Sequence, residues 1–207
     1  MLDTYIKTFN KLALTQEGFV ANSDIKPWLM VQENIDIDID KVIQLIRSSL
    51  KKYYDATEQL IGQCFRTVSI VSEILLHNSI RHTVTIGNVL VNGKPYFNIS
   101  YESVMNDLNV GYIPNEPANA HAWITLENGI IIDMTILSSL AHYKLNKKPP
   151  KWIKSIYTSN NMNSMELCHI PYHLGPEYII RVVNGPSDTA SLYAYRWMVK
   201  IDDMVNT

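Results

Sequence analysis

The spacing of apolar positions changes period between residues 63 and 91, and that change divides the chain. Over residues 63–77, Phe65, Val68, Val71 and Leu75 recur at helical spacing while Ile70 and Ile74 form a second ridge. Apolar positions on more than one side predict a buried helix. From His82 the period drops to two. His82-Thr83-Val84-Thr85-Ile86-Gly87-Asn88-Val89-Leu90-Val91 is rich in β-branched residues and stops at Asn92-Gly93, a hairpin signal. Residues 120–126 and 130–135 predict two more strands flanking Asn128-Gly129, and residues 178–183, before Asn184-Gly185-Pro186, predict a fourth.

Upstream, residues 2–14 predict a short helix with Leu2, Ile6, Phe9 and Leu12 on one face, followed by a turn at Ser23-Asp24-Ile25-Lys26-Pro27. Ile35-Asp36-Ile37-Asp38-Ile39-Asp40 alternates as a strand would. Asp40 is also a good N-cap for a helix carrying Val42, Ile43, Ile46, Leu50 and Tyr53. Lys94 to Asn119, with Pro95, Pro114 and Pro117, predicts a long irregular connection forming one wall of a cleft, with Tyr101, Tyr112 and Asn119 as wall residues. Helices come early and strands late, which argues for an α+β fold on an antiparallel sheet.

The 207 residues fit one domain: a helical part over 1–55, a central part over 60–136, and a C-terminal part over 137–207 that completes the sheet. Hydrophobic content of 46% suits a real core. A net charge of −2 gives no basic excess, which argues against general nucleic-acid binding. No run approaches the roughly 18 apolar residues of a membrane span. The opening MLDTYIKTFNKLALTQEGF lacks the basic and apolar regions of a cleaved signal. A cytoplasmic setting with Cys64 and Cys168 reduced is therefore expected, export by another route staying open. Without a route to glycosylation, the sequon Asn98-Ile99-Ser100 carries no weight.

Three residues then stand out. Cys64 opens the predicted buried helix just after Gly62, which allows a sharp turn into it. A free thiol is only a few per cent ionised at neutral pH, and a helix N-terminus offers partial positive charge and unpaired N–H groups that favour thiolate. The same groups receive the oxyanion of a tetrahedral intermediate. His121 opens one strand of the predicted hairpin, and Asp133 lies inside the apolar run Ile130-Ile131-Ile132-Asp133-Met134 of the other. Strands disfavour Asp, and a buried carboxylate needs a partner. A two-residue Asn128-Gly129 loop would oppose Asp133 to Ile124 and turn it away from His121. A three-residue loop, Glu127-Asn128-Gly129, opposes it to Trp123 on the face of His121 and calls for positive φ at Gly129.

Gly62-Gln63-Cys64-Phe65, His121-Ala122-Trp123 and Ile132-Asp133-Met134-Thr135 together resemble the nucleophile, His-x-Trp and Asp-Pro-Thr motifs of the transglutaminase-like branch of the papain-like cysteine enzymes. The resemblance covers residues 60–136. It implies a papain-like fold with the nucleophile at the N-terminus of a buried helix packed on an antiparallel sheet. It also implies Cys64 as nucleophile, His121 as general base and acid, and Asp133 as the residue orienting the imidazole. Phe65 and Met134 depart from the tryptophan and proline of the strict motifs, and the chain is short for a multidomain crosslinking transglutaminase. The implied reaction is acyl transfer through a thioacyl-enzyme on a peptide, isopeptide or side-chain amide, with water or an amine as acceptor and no cofactor. A catalytically silent binding scaffold of the same fold is the rival. An N-acetyltransferase would expect an Arg-Gly-Gly lead that Leu60-Ile61-Gly62-Gln63 lacks.

Gln63, Gln59, Asn119 and Trp123 are the expected oxyanion and cleft residues. Cys168, His169 and His173 have metal-like spacing, but Pro171 interrupts it and no second pair completes a tetrahedral set, so no metal is expected. Lys144, Lys147, Lys148, Lys151 and Lys154 around Trp152 read as a solvated loop. The expected partner is a peptide or protein substrate.

Overall fold

The structure is a computed structural model that describes residues 2–16, 30–32, 35–114, 116, 118–160 and 166–184. The expected turn at Ser23-Asp24-Ile25-Lys26-Pro27 lies outside these residues, as do Pro117, Gly185 and Pro186.

Helix α1 is Leu2–Thr15, α2 is Ile39–Leu50 and α3 is Cys64–His77. Strand β1, His82–Val91, has the bounds its alternation predicts, and it turns at Asn92-Gly93 into the short β2, Lys94–Pro95. Helix α4 follows at Tyr101–Val110, then β3 at His121–Leu126, β4 at Ile131–Asp133 and α5 at Ile136–Tyr143. Strand β5, Tyr157–Thr158, and β6, Leu167–Leu174, complete an antiparallel six-stranded sheet. Strand β1 pairs with β3, β6 and β2, and the sheet continues from β3 through β4 to β5. The fold is α+β, as the order of periods predicts.

Strand alternation builds two cores. Val84 and Ile86 of β1 and Ala122, Ile124 and Leu126 of β3 face α2 and α3, where they meet Ile46, Leu50, Val68, Val71 and Leu75. Val89, Trp123 and Ile131 face the other way, toward Tyr5, Phe9 and Ala13 of α1 and Ile136 and Leu140 of α5. Helix α1 thus buries Tyr5, Phe9 and Ala13, while Ile6 and Leu12 are half-buried and Leu2 is exposed. The face expected from Leu2, Ile6, Phe9 and Leu12 is rotated because Tyr5 has a polar tip to satisfy. Its hydroxyl accepts from Trp123 Nε1 at 2.9 Å and is hydrogen-bonded to Thr125 Oγ1. Gln16 closes the end of α1 onto β6 through two 2.8 Å bonds with the backbone of Leu174.

Three expectations are corrected, and the open reading of the Ile-Asp run is resolved. The cap of α2 is Asp38, whose Oδ1 accepts from Lys41 N; Asp40 lies inside the helix, and Tyr53 lies beyond it and is exposed. The alternating Ile-Asp run therefore ends in a cap and forms no strand over 35–38. The connection from Lys94 to Asn119 is not irregular throughout, because it contains α4, held by a reciprocal capping pair between Ser100 and Ser103. Residues 178–183 form no strand. Ile179–Val183 is a π-helical turn that buries Tyr178, Ile179 and Val182, and Arg181 pairs with Glu177 one turn back. A β-branched run says nothing of period when its apolar residues also fall at helical spacing.

At Gly87 the backbone of β6 leaves no room for a side chain. A side chain there would place its Cβ 2.0 Å from the carbonyl oxygen of Ile170 and 2.8 Å from the Trp123 ring. Beside it, β6 carries a bulge: His173 pairs with Ile86 and Pro171 with Gly87, leaving Tyr172 extra. Since backbone cannot yield as a flexible side chain does, Gly87→Ala is expected to destabilise the fold by about 1–3 kcal/mol. A lowered urea midpoint with unchanged slope is the expected result; an unchanged midpoint would contradict this packing.

Candidate active site

The hairpin of β3 and β4 sets the first part of the site. Ile124 pairs with Ile132 and Thr125 with Ile131, and Leu126 N donates to Ile130 O at 2.9 Å. Gly129 N closes the turn on Leu126 O, with φ of +81° at Gly129. This is the register of the three-residue loop Glu127-Asn128-Gly129, and it brings His121 and Asp133 side by side. The His121 Nε2–H donates to Asp133 Oδ2 at 2.6 Å, with both side chains buried.

Asp133 has more partners than the hairpin supplies. Its Oδ2 also accepts from His169 Nε2 of β6 at 3.0 Å. Its Oδ1 accepts from the backbone N–H groups of Thr135 and Ile136 at 3.0 Å each, where α5 begins. One carboxylate therefore meets two imidazoles and a helix N-terminus. Burial by itself would raise this carboxyl, but the His121 charge and the hydrogen bonds from His121 and His169 outweigh it and hold it well below the usual carboxylate range. Burial would likewise depress His121. The charge and hydrogen bond of Asp133, with those of Cys64, instead lift the imidazole to about 10.

Cys64 is the first residue of α3, reached through Gly62 in the left-handed region at φ +68°. Its thiol lies 3.9 Å from the carbonyl oxygen of Ala120, immediately before His121. Cys64 and His121 open onto one cavity of about 400 Å3, with Phe65, Tyr96, Phe97, Thr135, Ser139 and Tyr143 among its walls. The Phe97 ring stacks on the His121 imidazole at 5.2 Å between centroids and 16° between planes. Buried Asn88 sets that ring: its Oδ1 accepts from Phe97 N, and its Nδ2 donates to the carbonyls of Phe97 and Ile99.

Of the other expected cleft residues, none lines this cavity. Gln59 is exposed, and its Oε1 accepts from Asp55 N. Gln63 immediately precedes α3 and makes no side-chain cap bond. Asn119 is exposed and donates to Asn98 O, facing a neighbouring hollow with Asp107 and Glu116. Trp123 is wholly buried beneath the site, its ring meeting those of His121 and His169. Of the expected walls, Tyr101 and Tyr112 are exposed and do not line the cavity; the aromatic walls from this connection are Tyr96 and Phe97, which were not expected.

His169 is the site residue that sequence reasoning missed. Its only signal is its place in the strand-like alternation of residues 167–174, which the metal-like spacing of Cys168, His169 and His173 obscures. The bulge at Tyr172 also separates the two histidines: His169 pairs with Val89 and His173 with Ile86, residues that face opposite cores. The donor atoms of His121, Asp133 and His169 lie within 4.8 Å of one another. Their N···O separations of 2.6 and 3.0 Å are those of hydrogen bonds. Donors on a tetrahedral metal would stand about 3.3 Å apart.

The chain matches no family model, no curated protein and no solved structure.

The His121 pair makes stability depend on pH. The unfolded imidazole titrates near 6.5 and the folded one at about 10. Its stabilisation is present in full below the unfolded value and is lost as pH rises through the folded one. The stability difference between the wild-type chain and His121→Gln, from urea unfolding, is expected to shrink between about pH 7 and pH 10.5. A difference independent of pH would show that His121 is not charged in the folded chain.

Proposed function

We propose that the chain is a cysteine-dependent acyl-transfer enzyme of papain-like, transglutaminase-like type, most simply a hydrolase of peptide, isopeptide or side-chain amides. One observation carries this reading: a thiol at the first residue of a buried helix shares an open cavity with an imidazole whose far nitrogen is held by a buried carboxylate.

With Nε2 of His121 committed to Asp133, Nδ1 is the nitrogen left for Cys64. The Cys64 proton passes to Nδ1, and the thiolate attacks the amide carbonyl carbon. The oxyanion is received by backbone N–H groups at the start of α3, which have no partner within the helix. As the C–N bond breaks, Nδ1–H gives its proton to the leaving amine, and a thioacyl-enzyme remains. Nδ1 then takes a proton from water, the resulting hydroxide attacks the thioester carbon, and the thiolate leaves. An amine in place of water gives transamidation by the same steps. The ionised Asp133 stabilises the imidazolium at each stage and fixes its tautomer. The aromatic walls Phe65, Tyr96, Phe97 and Tyr143 suit an extended peptide segment with apolar surface.

Iodoacetamide labelling tests the reading without a known substrate. Cys64 is expected to react at neutral pH. Cys168, whose thiol is pushed up by burial, is expected to react only in alkaline solution. Cys64 labelling at neutral pH is expected to fall in His121→Ala. Equal rates in the two proteins would return Cys64 to a structural role.

Incubation with a peptide library then identifies the acceptor by intact mass: cleavage, conversion of amide to acid, or exchange of ammonia for an added amine. In that assay Cys64→Ala is expected to abolish turnover, and His121→Ala to come close to it. Asp133→Asn is expected to lower turnover about 10²–10⁴-fold, since the amide keeps the cap on α5 but not the imidazole tautomer. Full turnover in Asp133→Asn would remove the carboxylate from the mechanism.

A further inference from the structure

His169 is wholly buried on β6, away from the cavity, and yet it shares an oxygen with the residue that orients His121. A carboxylate oxygen only accepts, so the His169 nitrogen at 3.0 Å must carry a proton. The other ring nitrogen, Nδ1, is buried and has no hydrogen-bond partner among the described residues. A proton there would be an unsatisfied donor on a dry cation, so the ring is neutral and protonated at Nε2 alone. Burial holds this imidazole below its ordinary value, the charge and hydrogen bond of Asp133 oppose that, and the His121 charge adds to it. The ring is set between the face of Tyr157, at 5.2 Å and 24°, and the Trp123 ring, at 4.9 Å and 72°.

Five donors consequently surround Asp133, the Thr135 hydroxyl being the most distant at 3.5 Å from Oδ1. Two backbone N–H groups and the Thr135 hydroxyl hold Oδ1, and two imidazole N–H groups hold Oδ2. Without His169, Oδ2 would keep His121 alone, and the carboxylate would be free to rotate about the bonds to α5.

We propose that His169 is a positioning residue for the acyl-transfer site, a fixed neutral donor that clamps the Asp133 carboxylate in the orientation where it holds His121 toward Cys64. The proposal rests on the reading of Cys64, His121 and Asp133 as the reacting set. The titratable groups facing Asp133 are His121 from β3, His169 from β6 and Tyr157 from β5, with Cys64 beyond His121 on α3.

Two substitutions separate clamping from packing. His169→Phe keeps an aromatic ring between Tyr157 and Trp123 but removes the donor. His169→Gln loses the ring but retains an amide N–H near the position of Nε2. The readout is the rate of Cys64 alkylation by iodoacetamide as a function of pH, with thermal unfolding of each variant as a check on folding. In His169→Phe the less well held carboxylate protonates more easily, so the acid limb is expected to move up by about one pH unit, a tenfold slower labelling at a fixed pH on that limb. In His169→Gln the limb is expected to stay near that of the wild-type chain.

A Phe variant that labels as the wild-type chain does, or a Gln variant as impaired as Phe, would overturn the clamp. Loss of His121 dependence in the wild-type chain would instead overturn the acyl-transfer reading itself, so the two failures are distinguishable. Should neither variant fold, long-range 1H–15N correlation spectra of the wild-type chain decide the matter. A neutral ring protonated at Nε2 is expected, and a charged ring or a proton on Nδ1 would overturn the proposal.

Discussion

Everything at this site follows from one cost, that of burying the Asp133 carboxylate without water. Left unpaired, such a charge would neutralise or unfold its surroundings. It is kept by donors from three different elements: His121 on β3, His169 on β6, and the first turn of α5. Strands β3 and β6 flank β1, and α5 leaves β4 directly after Asp133. Pairing the carboxylate therefore ties together both sides of the sheet and the helix covering one face. The same requirement explains Gly87. Strand β6 must come close enough to β1 for His169 to reach Asp133, and any Cβ on Gly87 would collide with the backbone of β6.

The parts of this arrangement that were legible in the sequence are local. The alternation of β1 has one reading, and it holds to the residue. The positive φ of Gly129 and the side-by-side placement of His121 and Asp133 follow from loop length and strand parity alone. An Asp within an isoleucine run announces an unmet partner. What was not legible is long-range. Nothing near residue 169 shows that its imidazole meets a carboxylate on β4, because that contact is made by the pairing of β1 with both β3 and β6. Trp123, expected in the cleft, lies under it because its own N–H is satisfied by Tyr5, a residue far away in sequence. Helix α4 was hidden by the prolines on either side of it, although Ser100 and Ser103, with Val104 and Leu108 one turn apart, carry a local signal.

Two imidazoles on one carboxylate oxygen would be interchangeable if hydrogen bonding alone decided their roles. They are not, because a single negative charge balances a single positive one, and the surroundings choose which ring carries it. His121 has Cys64 as a second polar neighbour and an open cavity beside it; beyond Asp133, His169 meets the rings of Trp123 and Tyr157, and its Nδ1 has no partner among the described residues. The environment accordingly drives the two apart, His121 upward and His169 downward. A protonated ring beside the Cys64 thiolate and a neutral ring behind the carboxylate is the distribution that proposed acyl transfer uses. It leaves the buried cluster with no net charge: Asp133 offsets His121, and His169 adds a donor without adding a cation. Placing the second proton on His169 would instead set a cation among Tyr157, Trp123 and the apolar core of α1 and α5. The fold thus distinguishes the two histidines by their surroundings, an open cavity beside one and aromatic rings around the other.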